Sequence, residues 1–111
     1  MDLINELWRI NDLLTKALEQ YKARGQEYAK AYTTYRKMLA KELLELKAQG
    51  TPVTIAYDIA RGKEEIANAK EQEIITESLY KSCQEAIQTY KLQIRIIQSQ
   101  INTEYTNGEN V

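Results

Sequence analysis

Gly50-Thr51-Pro52-Val53-Thr54-Ile55-Ala56-Tyr57-Asp58-Ile59-Ala60-Arg61-Gly62 is the stretch that decides how this chain folds. It holds the only proline and two of the four glycines in 111 residues. Gly50 suits the left-handed position behind a helix C-terminus, and Thr51-Pro52 does not continue that helix. Thr51 can cap a new segment, with Pro52 at its first helical position. Val53, Ile55, Ala56, Ile59 and Ala60 then read as a short helix, with a break or kink at Gly62. The link therefore spans residues 50–63.

On both sides of the link the pattern is helical. Residues 2–49 contain no proline and one glycine and are rich in strong helix formers. Asp2 or Asn5 can cap the start, and Asp2 and Glu6 place acid in the first turn. Residues 63–106 form the second arm. Asn107-Gly108 reads as its stop, leaving a polar, frayed tail over 107–111. Leu7, Ile10, Leu14, Ala17, Tyr21, Tyr28, Tyr32, Tyr35, Leu39, Leu43 and Leu46 share one face of the first arm. Ile75, Leu79, Cys83, Ala86, Tyr90, Ile94, Ile97, Ile101 and Tyr105 share one face of the second. Each face needs a partner. The fold expected is an all-α, long antiparallel helical hairpin with a short helical tip, assembling into a dimeric four-helix bundle.

The spacing adds detail. The first stripe opens in sevens, from Leu7 to Leu14, Tyr21 and Tyr28. It then moves to elevens, and the second stripe follows with Ile75, Ala86 and Ile97. Elevens correspond to about 3.67 residues per turn. Equal arms folded about the link set Leu46 near Ile66, Tyr35 near Glu77 and Tyr21 near Lys91. Charge agrees with that register. Lys22, Arg24, Lys30, Arg36, Lys37 and Lys41 face the stretch holding Glu71, Glu73, Glu77 and Glu85.

Composition excludes several functions. The formal net charge is -1, so no global field draws the chain to nucleic acid or anionic lipid. There is no histidine, which removes the commonest acid/base group and the commonest metal ligand. No catalytic, cofactor or metal residues are expected. Cys83 lies on the buried stripe and reads as a small hydrophobe. Glu64, Glu65, Glu71, Glu73 and Glu77 read as a solvated face. The opening residues resemble neither a signal nor a transit peptide, and no apolar run is long enough to span a bilayer. A cytoplasmic setting is expected.

Three candidate surfaces remain. Ile55, Tyr57, Asp58, Ile59 and Arg61 crowd the tip and are the candidate partner-binding residues; a packed cap, with Asp58 or Arg61 bonding backbone groups, is the competing reading. Leu3, Ile4, Trp8, Leu18, Tyr80 and Ile87 lie off the stripes and are candidates for self-association, along with Leu13, Leu44, Ile74 and Ile96. Trp8 either joins that interface or caps Ile101 and Tyr105. Lys22, Arg24, Lys30, Arg36 and Lys37, interleaved with tyrosines, are the candidate nucleic-acid contacts. Against that stands the expectation that Tyr28, Tyr32 and Tyr35 are core.

Pro52-Val53-Thr54, Asp58-Ile59-Ala60-Arg61-Gly62, Tyr80-Lys81, Glu85-Ala86-Ile87, Tyr90-Lys91, Ile94-Arg95 and Gln100-Ile101 resemble small helical-hairpin proteins of tailed phages and prophages of Gram-positive bacteria. The resemblance covers roughly half the chain. It implies an early accessory protein, encoded near replication and recombination functions, with no enzyme activity. The function expected is a non-enzymatic protein–protein interaction that modulates or inhibits a host nuclease, defence or replication component. The alternatives are a nucleic-acid-binding accessory factor and a structural coiled coil.

Overall fold

The structure, a computed structural model, describes residues 2–109. Three helices follow in order: α1 (Leu3–Ala48), α2 (Val53–Gly62) and α3 (Glu64–Glu109). α1 and α3 are the antiparallel arms of a long helical hairpin and α2 is its short helical tip. No strand occurs among the described residues.

The ends of the helices follow local chemistry. Asp2 Oδ1 accepts from the amides of Ile4 and Asn5 at 3.0 and 3.4 Å, capping α1. Its other end closes at Gly50, whose φ is +82°. The Gly50 amide donates to Lys47 O and the Thr51 amide to Leu46 O, each at 3.0 Å. This is the paired bonding of a Schellman motif, which satisfies two orphan carbonyls and needs a residue at ease with positive φ. Pro52 sits one position earlier than the sequence suggested. Its ψ of 138° is extended, so it precedes α2 as the cap residue, without a side-chain bond. Its carbonyl accepts from Ile55 and Ala56 at 3.2 and 3.1 Å.

α2 ends at Gly62 as expected, but the bend itself is carried by Lys63, at φ -69° and ψ 138°. The Lys63 amide closes α2 on Ala60 O, and its carbonyl opens α3 by accepting from Ala67 at 2.8 Å. Asn107-Gly108 does not stop α3, which continues to Glu109. A glycine in a helix costs only about 1 kcal/mol, so it weakens a helix without ending it. The rest of the expected tail, Asn110 and Val111, lies outside the described residues.

Contacts divide the hairpin into two compact units. The first holds the chain up to Ala23 and from Lys81 onward; the second is Arg24–Tyr80. The first unit packs Ala17, Cys83 and Ile87 with Leu14, Tyr21 and Tyr90. Gln84 Nε2 donates to Tyr21 Oη at 3.0 Å, and Cys83 Sγ donates to Ala17 O at 3.2 Å. Tyr21 thus meets a residue seven positions before the Lys91 that equal arms would give it.

The second unit packs Tyr35, Leu46, Ala56, Ala60 and Ile66, flanked by Met38, Leu39, Leu43 and Ala69. Leu46 and Ile66, expected to lie near each other, share this cluster. Tyr35 does not pair with Glu77: the Lys70 ammonium lies 4.9 Å from its ring centroid. Glu42 pairs with Lys63 across the hairpin. A Cβ on Gly25 would lie 3.1 Å from the Tyr80 ring. In the pairs Tyr35–Lys70, Glu42–Lys63 and Gly25–Tyr80 the residues are equidistant from the Pro52–Val53 bond. The chain reverses there, and α2 belongs to the returning arm. Equal counting about the middle of the link misses this by one heptad.

The α1 stripe is inward-facing as read, apart from Tyr32, which is 42% exposed. The α3 stripe is different. Its inward residues recur in sevens: Ile66, Glu73 and Tyr80, with Ala69 and Thr76, in the second unit; Cys83, Tyr90 and Ile97, with Ile87, Ile94 and Ile101, in the first. The eleven-residue reading of α3 fails at Ile75, Leu79 and Tyr105, all exposed. Polar residues occupy the seam where those apolar ones were expected. Glu73 is 7% exposed and is not on a solvated face. Its carboxylate meets Lys70 Nζ at 3.3 Å. Thr76 Oγ1 donates back to Gln72 O at 2.7 Å.

The expected charge pairing is also redrawn. Arg24 pairs with Glu27 and Lys70 with Glu73, each on its own helix. In the Glu42–Lys63 pair the acid is on α1 and the base at the bend that opens the returning arm, the reverse of the expected polarity. A partner three positions away on the same helix needs no register to be in reach.

A buried carboxylate beside a half-exposed lysine contributes little net stability, and an apolar replacement of similar size is commonly neutral or better. Glu73→Leu is expected to stabilise the fold by about 1 kcal/mol. Thermal or urea unfolding followed by circular dichroism reads this; a clear loss of stability would show that the carboxylate organises the seam.

Candidate interaction site at the hairpin tip

α2 is a ten-residue helix with small residues on its inner face. Ala60 is 0% exposed and Ala56 is also buried, so the backbone of α2 lies close against Leu46, Tyr35 and Ile66. Every larger side chain of α2 is thereby sent to a flank. Val53, Tyr57 and Arg61 follow one another at steps of four, which places them on one flank. Ile55 and Ile59 form the other. Val53, at 79% exposed, and its neighbours Ile55, Tyr57 and Ile59 are all open.

The five tip residues singled out from sequence, Ile55, Tyr57, Asp58, Ile59 and Arg61, are therefore brought together on one exposed helix. The capped alternative does not describe Arg61. Its guanidinium carbon lies 5.2 Å from the Tyr57 ring centroid, a cation–π contact within one flank. Beside Arg61 opens a groove of about 380 Å³, lined by Tyr35, Arg61, Ile66, Ala67 and Lys70. Tyr35 and Lys70 were missed as site residues. Treating α2 as part of the returning arm would have found them, because that count sets Lys70 opposite Tyr35.

The bend that orients α2 is clasped. Glu42 hydrogen-bonds the Lys63 ammonium and holds it protonated above the usual lysine range. A raised lysine contributes below its ordinary range and is lost as pH climbs past it, so the clasp stays closed through neutral pH.

The other candidates are distributed differently. Ile4, Trp8 and Leu18 are exposed and Leu3 is half-buried. Trp8 is 63% exposed and Tyr105 is open too, so no cap forms between them. Tyr80 is half-buried and Ile87 buried within the hairpin rather than exposed. Tyr80 packs against Gly25 and Tyr28, with ring centroids 6.0 Å apart in the tyrosine pair, and Ile87 is core. Lys22, Lys30, Arg36 and Lys37 are exposed; Arg24 is half-buried and paired with Glu27. Tyr32 is not core: Arg36 lies over its ring at 5.7 Å. In the first unit a groove of about 780 Å³ runs past Leu18, Tyr21, Gln84 and Ile87.

Among the described residues no three acidic or cysteine side chains converge as a metal site, and no helix is long and apolar enough to cross a membrane. Comparison of the chain with protein-family models, curated proteins and solved structures finds no match.

The close approach of α2 makes Ala60 the residue on which the site's position depends. Ala60→Leu is expected to cost about 1 to 3 kcal/mol by overpacking and to shift the amide resonances of Val53–Gly62 selectively. Unchanged α2 resonances at unchanged stability would mean that α2 is not seated on this alanine.

Proposed function

We propose that this protein is a non-enzymatic interaction module that recognises another protein through α2. One observation carries the reading. The tip helix is anchored by two alanines and leaves Val53, Ile55, Tyr57 and Ile59 exposed together. A rigid scaffold that presents open apolar side chains at a short helix suits docking. Nothing comparable favours catalysis. The chain lacks histidine, and its cysteine is buried with its Sγ donating to a backbone carbonyl. The resemblance to phage accessory proteins supports a target in the bacterial cytoplasm, such as a nuclease, defence or replication component. Val53→Ser/Tyr57→Ser is expected to keep its helicity and lose the proteins that the wild type captures from a Gram-positive host extract. Equal capture by both would remove α2 from the function.

We further propose that the chain self-associates. Among the described residues no large side chain is fully buried, and Ile4, Trp8 and Leu18 stand open in the unit that carries the larger groove. Two-helix hairpins commonly complete such cores as four-helix dimers. Light scattering is expected to give about twice the 12.9 kDa chain mass, falling toward the monomer for Trp8→Glu/Leu18→Glu. A stable wild-type monomer at micromolar concentration would exclude the dimer.

A second reading has one observation behind it. Tyr32 and Arg36 form an exposed aromatic–cation pair on α1, with Lys30 and Lys37 open beside it. Such a strip suits single-stranded nucleic acid, whose binding would weaken steeply with salt.

A further inference from the structure

The groove beside α2 has a composition that selects its occupant. Two cations line it from different helices, Arg61 on α2 and Lys70 on α3. Arg61 leans on the Tyr57 ring and has no carboxylate partner among the described residues. Lys70 lies over the Tyr35 ring and donates to Glu73, and its ammonium keeps donors to spare. Tyr35, Ile66 and Ala67 complete the lining, and Ile66 and Tyr35 are buried. The Val53–Tyr57 flank continues from Arg61 as apolar surface.

Resting on the reading of α2 as a protein-docking helix, we propose that its partner offers an acidic amphipathic segment. An aspartate or glutamate carboxylate sits between Arg61 and Lys70, and apolar side chains lie along Val53 and Tyr57. The planar guanidinium suits a carboxylate, and the pair fixes orientation as well as affinity. A phosphate strand fits poorly. The second unit, Arg24–Tyr80, carries nine acidic residues against nine basic ones, so no net positive field holds a long phosphate backbone, while the local Arg61–Lys70 pair can still hold a carboxylate.

Two helical peptides with the same leucine stripe test this, one flanked by glutamates and the other by glutamines, titrated into the whole labelled protein and followed by amide and side-chain NMR. The glutamate peptide is expected to shift residues of α2 and Lys70 and to bind about tenfold tighter than the glutamine peptide. Arg61→Gln/Lys70→Gln, with its spectrum outside the tip unchanged, is expected to erase that difference. Equal shifts from both peptides would overturn the carboxylate inference and leave α2 as a docking helix. Shifts from neither would overturn both. An oligothymidylate that binds the same groove more tightly than the glutamate peptide would also overturn the inference.

Discussion

The backbone of Gly50, at φ +82°, fixes where the chain turns back, and the pairings of the second unit are counted from that turn. The two amide bonds behind it end α1 at a set residue, and Pro52 follows at once in an extended conformation. A slip of one residue between the arms would rotate the α3 seam by about 100° and carry it out of contact. A slip of seven would restore the face almost unchanged. Periodicity therefore chooses the face but leaves the register open by whole heptads. The turn closes that choice. Gly25 then confirms it locally, because its missing side chain makes room for the Tyr80 ring and for few others.

The middle of α3 inverts the usual distribution of polarity. Glu73 and Thr76 face inward while Ile74, Ile75 and Leu79 face out. Each isoleucine, about half exposed, forgoes roughly half of the 1.5 to 3 kcal/mol that full burial supplies. Within the seam, Thr76 satisfies itself on the preceding turn and Glu73 on Lys70, so the polar groups cost little but add little. This part of the second unit is held by the aromatic contacts of Tyr28 and Tyr80 rather than by aliphatic packing. The apolar side chains outside it remain as surface that only another molecule can cover.

Much of this architecture is legible in the residues. The two arms, the Schellman glycine, the Asp2 cap and the break after Gly62 all follow from propensity and turn chemistry. The α1 stripe is legible because Ile10, Ala17, Tyr35 and Leu46 are both apolar and buried. The α3 stripe is not, because Ile75 and Leu79 keep apolar spacing with Cys83 and Ala86 while the helix turns Glu73, Thr76 and Tyr80 inward. Pattern reading assumes that apolar means inward, and here two arms supply more apolar residues than one interface can take. The exposed tip was visible as a crowding of Ile55, Tyr57, Ile59 and Arg61. The groove beside it was not, because it depends on a register that only the position of the turn supplies.

The way α2 is held bears directly on what it can do. Alanine burial supplies little hydrophobic free energy, so Ala56 and Ala60 act by permitting close approach. The helix is then fixed by its backbone, by the Lys63 bend and by the Glu42 clasp, none of which uses the side chains of Val53, Ile55, Tyr57 or Ile59. On the proposed reading, recognition and folding draw on separate residues of the same ten. Side chains that do not hold the fold can change without unfolding it, which lets the identity of a partner vary while the hairpin stays constant. Arg61 is the one flank residue already oriented by a neighbour, its guanidinium settled on Tyr57. Ordering a long side chain before binding removes part of the entropy that association would otherwise cost. For that reason the proposed docking reading places specificity on the Arg61 flank rather than on the Ile55–Ile59 flank.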